Sequence, residues 1–208
     1  MLKIEKIGQV KSLLKVTFDN GSSLLFLPDI VYGRSLKEGN SYEESVINAL
    51  IAQNDESLCF QSLLKILKTR MHSTGELRRK LAAKKFNFSL IEHAIQKALE
   101  TGVTRDENAA ECYKNELSAK GYGSFRIRDA MRRKGFSEDI IDNFITTDTS
   151  ASDEENENAK RIFEKKLASL KKDKSLLKHK LREKLFRFMQ SKGYSSETIL
   201  SLIKDFSD

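Results

Sequence analysis

The chain has 208 residues, 39% hydrophobic and 32% charged, and 37 lysines and arginines outweigh 30 aspartates and glutamates for a formal charge of +7. That is polar for a globular protein and basic enough to favour a polyanionic partner, either nucleic acid or an acidic protein face. With no apolar run near the roughly 18 residues of a membrane span, no signal-peptide core at the start, and two cysteines that build no disulfide framework, a reduced cytoplasmic protein without membrane contact is expected.

Residues 16–18 and 24–27 flank Asp19-Asn20-Gly21-Ser22. Asn-Gly suits the positive φ values of a type I′ turn, which predicts a β-hairpin, and residues 4–7 supply a third strand. Pro28, the only proline, ends the second hairpin strand, and Gly33 and Gly39 fall in a loop. From Ser41 the chain reads as helical. Ser41-Tyr42-Glu43-Glu44 and Ser73-Thr74-Gly75-Glu76 both have the form of a capping box.

A repeat then governs the rest. Leu77, Ile127 and Leu185 share one local setting, as do Leu81, Met131 and Met189. Phe86, Phe136 and Tyr194 form a third set, Ile91, Ile141 and Ile199 a fourth, and Ile95, Ile145 and Ile203 a fifth. Each second member lies 50 residues after the first and each third member 58 after the second. Upstream, Leu63, Tyr113 and Phe163 step by 50 twice, as do Leu67, Leu117 and Leu167. Cys59, Ala109 and Ala159 fall in register as small core residues. One three-helix unit is used three times, and the third copy has gained 8 residues between its first and second helices. Repeats of this size build extended surfaces for long partners, not closed catalytic cavities.

Each unit reads as helix one, helix two, a tight turn and helix three. The turns are Lys84-Lys85-Phe86-Asn87, Lys134-Gly135-Phe136-Ser137 and Lys192-Gly193-Tyr194-Ser195. Glycine there takes the left-handed conformation, the aromatic beyond it folds onto the core, and Asn87, Ser137 or Ser195 caps helix three. Lys85 in place of glycine costs strain. Gly121-Tyr122-Gly123 is a helix-to-helix turn. The fold is thus mainly α: a β-hairpin extension over 1–40, a lead-in helix with repeat one over 41–103, repeat two over 104–147, and an acidic linker with repeat three over 148–208.

The second helices are basic. Residues 76–85 and 125–134 each carry a net +4, and residues 171–187 carry +6, Lys174 among them. With Ile127 facing the core, Arg126, Arg128, Arg132 and Arg133 all point away from it, and guanidinium groups suit bidentate contact with phosphate or carboxylate. The candidate partner-binding residues are Arg78, Arg79, Arg126, Arg128, Arg132, Arg133, Lys180, Lys184 and Arg187. His72, His93 and His179 show no metal-ligand spacing, and His72 and His179 read as surface residues. No nucleophile elbow, P-loop or dinucleotide fingerprint occurs, so no enzyme, cofactor, metal or small-molecule substrate is expected.

The order of these motifs resembles the RecX family, the regulators of RecA recombinase. The resemblance runs from Arg70 through Ser73, Glu76, Leu77 and Leu81 to Phe86. It continues through Gly102, Val103, Asp106, Ala110 and Tyr113, then from Gly121 through Arg126, Arg128, Lys134, Gly135 and Phe136. The stretches 32–39 and 41–44 are similar to the N-terminal extension of longer members. The chain departs at Ala109, where phenylalanine is usual, at Lys85, and in a third repeat that matches loosely. The resemblance implies tandem three-helix repeats in an elongated, bent array. It also implies a non-enzymatic modulator that binds the RecA filament on single-stranded DNA and restrains its ATPase and strand exchange, tempering recombination, repair and the SOS response, with possible direct phosphate contacts. A direct DNA-binding protein acting without RecA is the alternative that the charge alone allows.

Overall fold

The computed structural model describes residues 1–145, 153–172 and 177–205. Two compact units are present: Met1–Arg70 with Leu77–Thr101, and Met71–Glu76 with Gly102–Asp208.

The first unit opens with an antiparallel sheet of β1 (Leu2–Val10), β2 (Leu13–Phe18), β3 (Ser23–Phe26) and β4 (Ser41–Tyr42), in the order β3-β2-β1-β4. Alternation sends Ile4, Leu14, Val16, Phe18 and Phe26 to one face. There they pack on Ile30 and Val31 of α1 (Pro28–Gly33) and on Ile47 and Leu50 of α2 (Glu44–Leu67). Asn54 of α2 fastens the edge strand: its Oδ1 accepts from Leu27 N–H at 2.8 Å and its Nδ2 donates to Leu25 O at 3.1 Å.

Local chemistry departs from expectation in three places. The hairpin turn is not type I′, because Gly21 has positive φ but Asn20 does not. Instead the Asn20 carboxamide oxygen accepts from Ser22 N–H at 2.9 Å, and Gly21 N–H donates to Phe18 O at 2.9 Å; this is a type I turn ending in a left-handed glycine. Pro28 opens α1 at its first turn, where its missing N–H costs nothing, so Gly33 ends a helix and does not lie in a loop. Ser41 pairs with Lys3 as part of β4, so the first capping box does not form; Glu43 stands at the start of α2 without a side-chain cap.

Helix α2 joins the lead-in and the first repeat helix into 24 continuous residues. With α3 (Thr74–Ala83) and α4 (Phe88–Glu100) it encloses Cys59, Leu63, Leu77, Leu81, Ile91, Ala94, Ile95 and Ala98. Lys85 holds φ +67 between α3 and α4. A left-handed L-residue costs about 1–2 kcal/mol, and Lys85 is exposed. Lys85→Gly is expected to stabilise the chain by about 1 kcal/mol, measured as a higher urea midpoint at unchanged slope.

The second unit contains α5 (Asp106–Ala119), α6 (Ser124–Lys134), α7 (Glu138–Phe144), α8 (Asp153–Leu170), α9 (Lys178–Lys192) and α10 (Ser196–Asp205). Two cores repeat the same residue plan. One centres on Ile127, Met131, Phe136 and Ile141, the other on Leu185, Met189, Tyr194 and Ile199. Gly135 and Gly193 end α6 and α9 in the left-handed conformation, and Ser137 and Ser195 cap the helices that follow. Burial, reinforced by the Glu155 charge, pushes the Tyr194 phenol up to about 12; its hydroxyl donates to Gly121 O at 3.4 Å. Asp153, Glu154 and Glu155 occupy the first turn of α8, where acids suit the macrodipole. The remaining linker residues 146–152, and Lys174, lie outside the described residues.

Candidate functional site

Within the second unit the start of one second helix meets the end of the next, and this happens twice. Ser73 Oγ accepts from Glu76 N–H at 3.0 Å, capping α3, and donates to Lys134 O at 2.5 Å at the end of α6. Fifty residues on from Ser73, Gly123 N–H donates to Lys192 O at 2.9 Å, and Phe125 N–H donates to Gly193 O at 3.2 Å, both at the end of α9. An acid from the next repeat's first helix holds each start. Asp106 accepts from Thr74 N–H and Oγ1, both at 2.7 Å, and Glu155 accepts from Ser124 N–H at 2.8 Å and from its hydroxyl. Unpaired helix-end amides and carbonyls thereby satisfy one another, with a carboxylate at each positive pole.

His72 is buried at the first of these contacts and does not lie on the surface, its Nδ1 3.0 Å from Glu76 Oε2. The Glu76 carboxylate also reaches Lys134 Nζ at 3.4 Å. His93 and His179 are exposed. Among the described residues no group of three or more His, Cys, Asp or Glu side chains is placed to hold a metal.

The arginines divide into two sets. Arg128 does not point into solvent: its side chain is 14% exposed and reaches Asp142, Glu138 at 3.5 Å and Ile145 O at 3.3 Å. One step of 100° from Ile127 leaves it at the edge of the buried stripe, facing α7. Arg132 grips Glu138 with two bonds of 2.6 and 2.9 Å, which holds the Glu138 carboxyl below its ordinary range and raises the guanidinium above its own. Arg78 binds Glu92 in the same manner at 2.7 and 2.9 Å, lowering Glu92. Arg78 with Glu92 and Arg128 with Asp142 are the same pair displaced by 50 residues, so the repeat copied a clamp between its second and third helices. In repeat three those positions are Phe186 and Leu200. Arg128→Ala is expected to cost about 1–3 kcal/mol by removing a largely buried guanidinium and leaving the Ile145 carbonyl without its donor, whereas Arg132→Ala, at an exposed pair, shifts the melting temperature little.

The second set lies on the other flank. On α6, Phe125, Asp129 and Arg133 follow one another at four-residue spacing, with Arg126 beside them. Arg126 donates to Ser191 O at 2.6 Å and stacks over Tyr122 at 4.6 Å. Arg133 has no ion-pair partner among the described residues. On α9, Lys180, Lys184 and Arg187 share a flank, and Arg187 pairs with Glu183 at 2.6 Å. Lys184 and Arg126 are repeat equivalents. Where α9 meets α6, an open depression of about 410 Å³ is lined by Phe125, Arg126, Asp129, Arg133, Gln190 and Ser191 with Gly193. Arg79 is exposed on α3 in the first unit. Phe125 and Gln190 carry no sequence signal beyond an aromatic at an outward position, which periodicity alone marks as exposed.

Family models for RecX match twice: the first three-helix domain over residues 59–97 and the third over residues 153–203. A regulatory protein RecX of Clostridium perfringens (strain 13 / Type A) is 34% identical over 178 residues, covering 85% of this chain and 81% of its own. One from Clostridium beijerinckii is 29% identical over 207 residues, covering 98% and 94%. A crystal structure of a regulatory protein RecX superimposes with a TM-score of 0.71 at 20% identity, over 99% of this chain and all of that one. The fold is therefore shared with that structure.

Proposed function

Because this chain belongs to the RecX family of regulatory proteins, we propose that it binds the RecA filament on single-stranded DNA and lowers its ATPase and strand-exchange activity without catalysing a reaction itself. The observation that carries this reading is the unneutralised cationic flank of the second unit, Lys180 and Lys184 on α9 with Arg126 and Arg133 on α6. It lies apart from the arginines that clamp helix to helix. Cations without an ion-pair partner among the described residues are the ones available to phosphate or to acidic side chains of a filament. A cytoplasmic location fits this role, and among the described residues no helix is long and apolar enough to cross a membrane.

RecA's DNA-dependent ATPase, measured with and without the protein, tests the proposal. Inhibition at stoichiometric amounts is expected, with weaker inhibition by an Arg126→Ala, Arg133→Ala, Lys184→Ala variant. No change in the ATPase at equimolar protein removes the proposal. The charge also suits a DNA-binding protein independent of RecA. In that case affinity for bare duplex falls steeply with salt, by about 0.9 in log–log slope per phosphate contact, and RecA adds nothing to it.

A further inference from the structure

We infer that the depression where α9 meets α6 is a nucleotide subsite, in which one unstacked base of a single strand lies on Phe125 while its flanking phosphates bind Arg126 and Arg133. The inference rests on the proposed filament reading of the same flank and names the ligand that the flank takes.

Five observations converge. Phe125 is 56% exposed in the first turn of a basic helix, where burial gives no reason for a phenyl ring. Its N–H is already bonded to Gly193 O, so the backbone beneath the ring is fixed. Arg126 is held by the Ser191 carbonyl and the Tyr122 ring, so a guanidinium stands pre-oriented at one side of the depression. Arg133 lies seven residues beyond Arg126, about 10 Å along the axis, within reach of a neighbouring phosphate of a strand that follows the helix. The volume of about 410 Å³ falls in the range of small-ligand pockets and fits one nucleotide unit, not a duplex.

The charge balance selects the occupant. Two guanidiniums face one carboxylate, Asp129, which is itself 3.8 Å from Arg132. Asp129 and the Gln190 carboxamide offer acceptors and donors to a base edge. An acidic peptide would use the guanidiniums but would leave the ring without a partner. A base has a π-face for the ring and a phosphate on each side, and stacking of this kind tolerates every base.

The test uses the full-length chain and fluorescent oligothymidylate, with an abasic oligonucleotide of equal length as the second probe. Wild type is expected to bind oligothymidylate about tenfold more tightly than the abasic strand, and Phe125→Ala to lose that difference. The Arg126→Ala, Arg133→Ala variant should weaken both probes and lower the salt slope by about 0.7 per lost contact. Phe88→Ala, which removes another exposed phenyl ring, should behave as wild type. Melting curves identical to wild type establish that Phe125→Ala remains folded. Equal binding of both probes by wild type, undiminished oligothymidylate binding by Phe125→Ala, or displacement by poly-glutamate as effective as by oligothymidylate overturns the subsite. The RecA ATPase separates the two readings. A chain that inhibits RecA yet is indifferent to Phe125→Ala on both probes loses only the subsite, and one that discriminates the probes yet leaves RecA unchanged loses only the filament reading.

Discussion

Replacing Gly193 by alanine is expected to lower the stability of the second unit by about 3 kcal/mol or more, against about 1–2 kcal/mol for the same change at Gly39. Both glycines have left-handed backbones, φ +88 and φ +84, so both variants carry the cost of a Cβ in that region. The difference is what the Cβ meets. At Gly39 nothing lies within 4 Å. At Gly193 the Cβ would fall 2.5 Å from Arg126 N and would also overlap the Arg126 Cβ. Those are backbone and near-backbone atoms at the start of a helix and cannot swing aside. Relief requires α6 to withdraw from α9, which breaks Gly123 N–H to Lys192 O and Phe125 N–H to Gly193 O. Each is a protected backbone bond worth about 1 kcal/mol. Urea denaturation of both variants measures the gap. Equal losses at Gly193 and Gly39 would show that the helix-end contact contributes nothing. The same variant also displaces Phe125 and Arg126, so it should weaken oligothymidylate binding under conditions in which it stays folded.

The sequence made the repeat legible because packing imposes it. A residue must be small at Cys59, Ala109 and Ala159, and must be large and apolar at Leu81, Met131 and Met189. Burial enforces both at fixed spacing, and all six are almost fully buried. The caps at Asn87, Ser137 and Ser195 are equally local and were readable for that reason. Charge was read less well. Helix phase marks both Arg128 and Arg132 as outward, which holds for the exposed Arg132 and fails for Arg128, and the net +4 of residues 125–134 says nothing of the counter-ions that both meet on the neighbouring helix. Their counter-ions, Glu138 and Asp142, lie 10 and 14 residues downstream of Arg128. The signal was nonetheless present: Arg78 with Glu92 and Arg128 with Asp142 share a spacing of 14 across two repeats, and the third repeat substitutes two apolar residues together. A charge pair copied by the repeat is a structural contact, whereas Arg126 and Arg133 have no cationic copy in repeat one, where Glu76 and Ala83 stand. His72 was misplaced for the same kind of reason. Its burial comes from Glu76, Ser73 and the end of α6, and Lys134, the last of these partners, is 61 residues from Ser73 along the chain.

Met131→Ala is expected to cost about 2–5 kcal/mol, and the loss should centre on repeat two. Met131 is fully buried, and its cluster contains Ala109, Ala110, Leu117, Ile127, Phe136, Ile141 and Ile145. Two of those neighbours are already alanine, so few long side chains stand nearby to collapse into the space, and that places the cost toward the upper part of the range. Leu81 and Met189 occupy the same position in repeats one and three and are equally buried. Each of the three repeats has its own cluster, so each alanine variant removes contacts from one cluster alone. In a tandem array, stability is the sum of unit terms and neighbour terms, which makes the three variants comparable in size and different in place. Amide hydrogen exchange reads the place directly. Met131→Ala should accelerate exchange in α5, α6 and α7, Leu81→Ala in α3 and α4, and Met189→Ala in α9 and α10. Helix α6 is the informative element, because its first turn is bonded to α9 and its last to the start of α3. Loosening repeat two should therefore spread to both flanking helix ends, while Leu81→Ala and Met189→Ala each disturb only one side of α6. Melting of Met131→Ala indistinguishable from wild type, or faster exchange confined to repeat one or three, would contradict the assignment of this methionine as the centre of its own core.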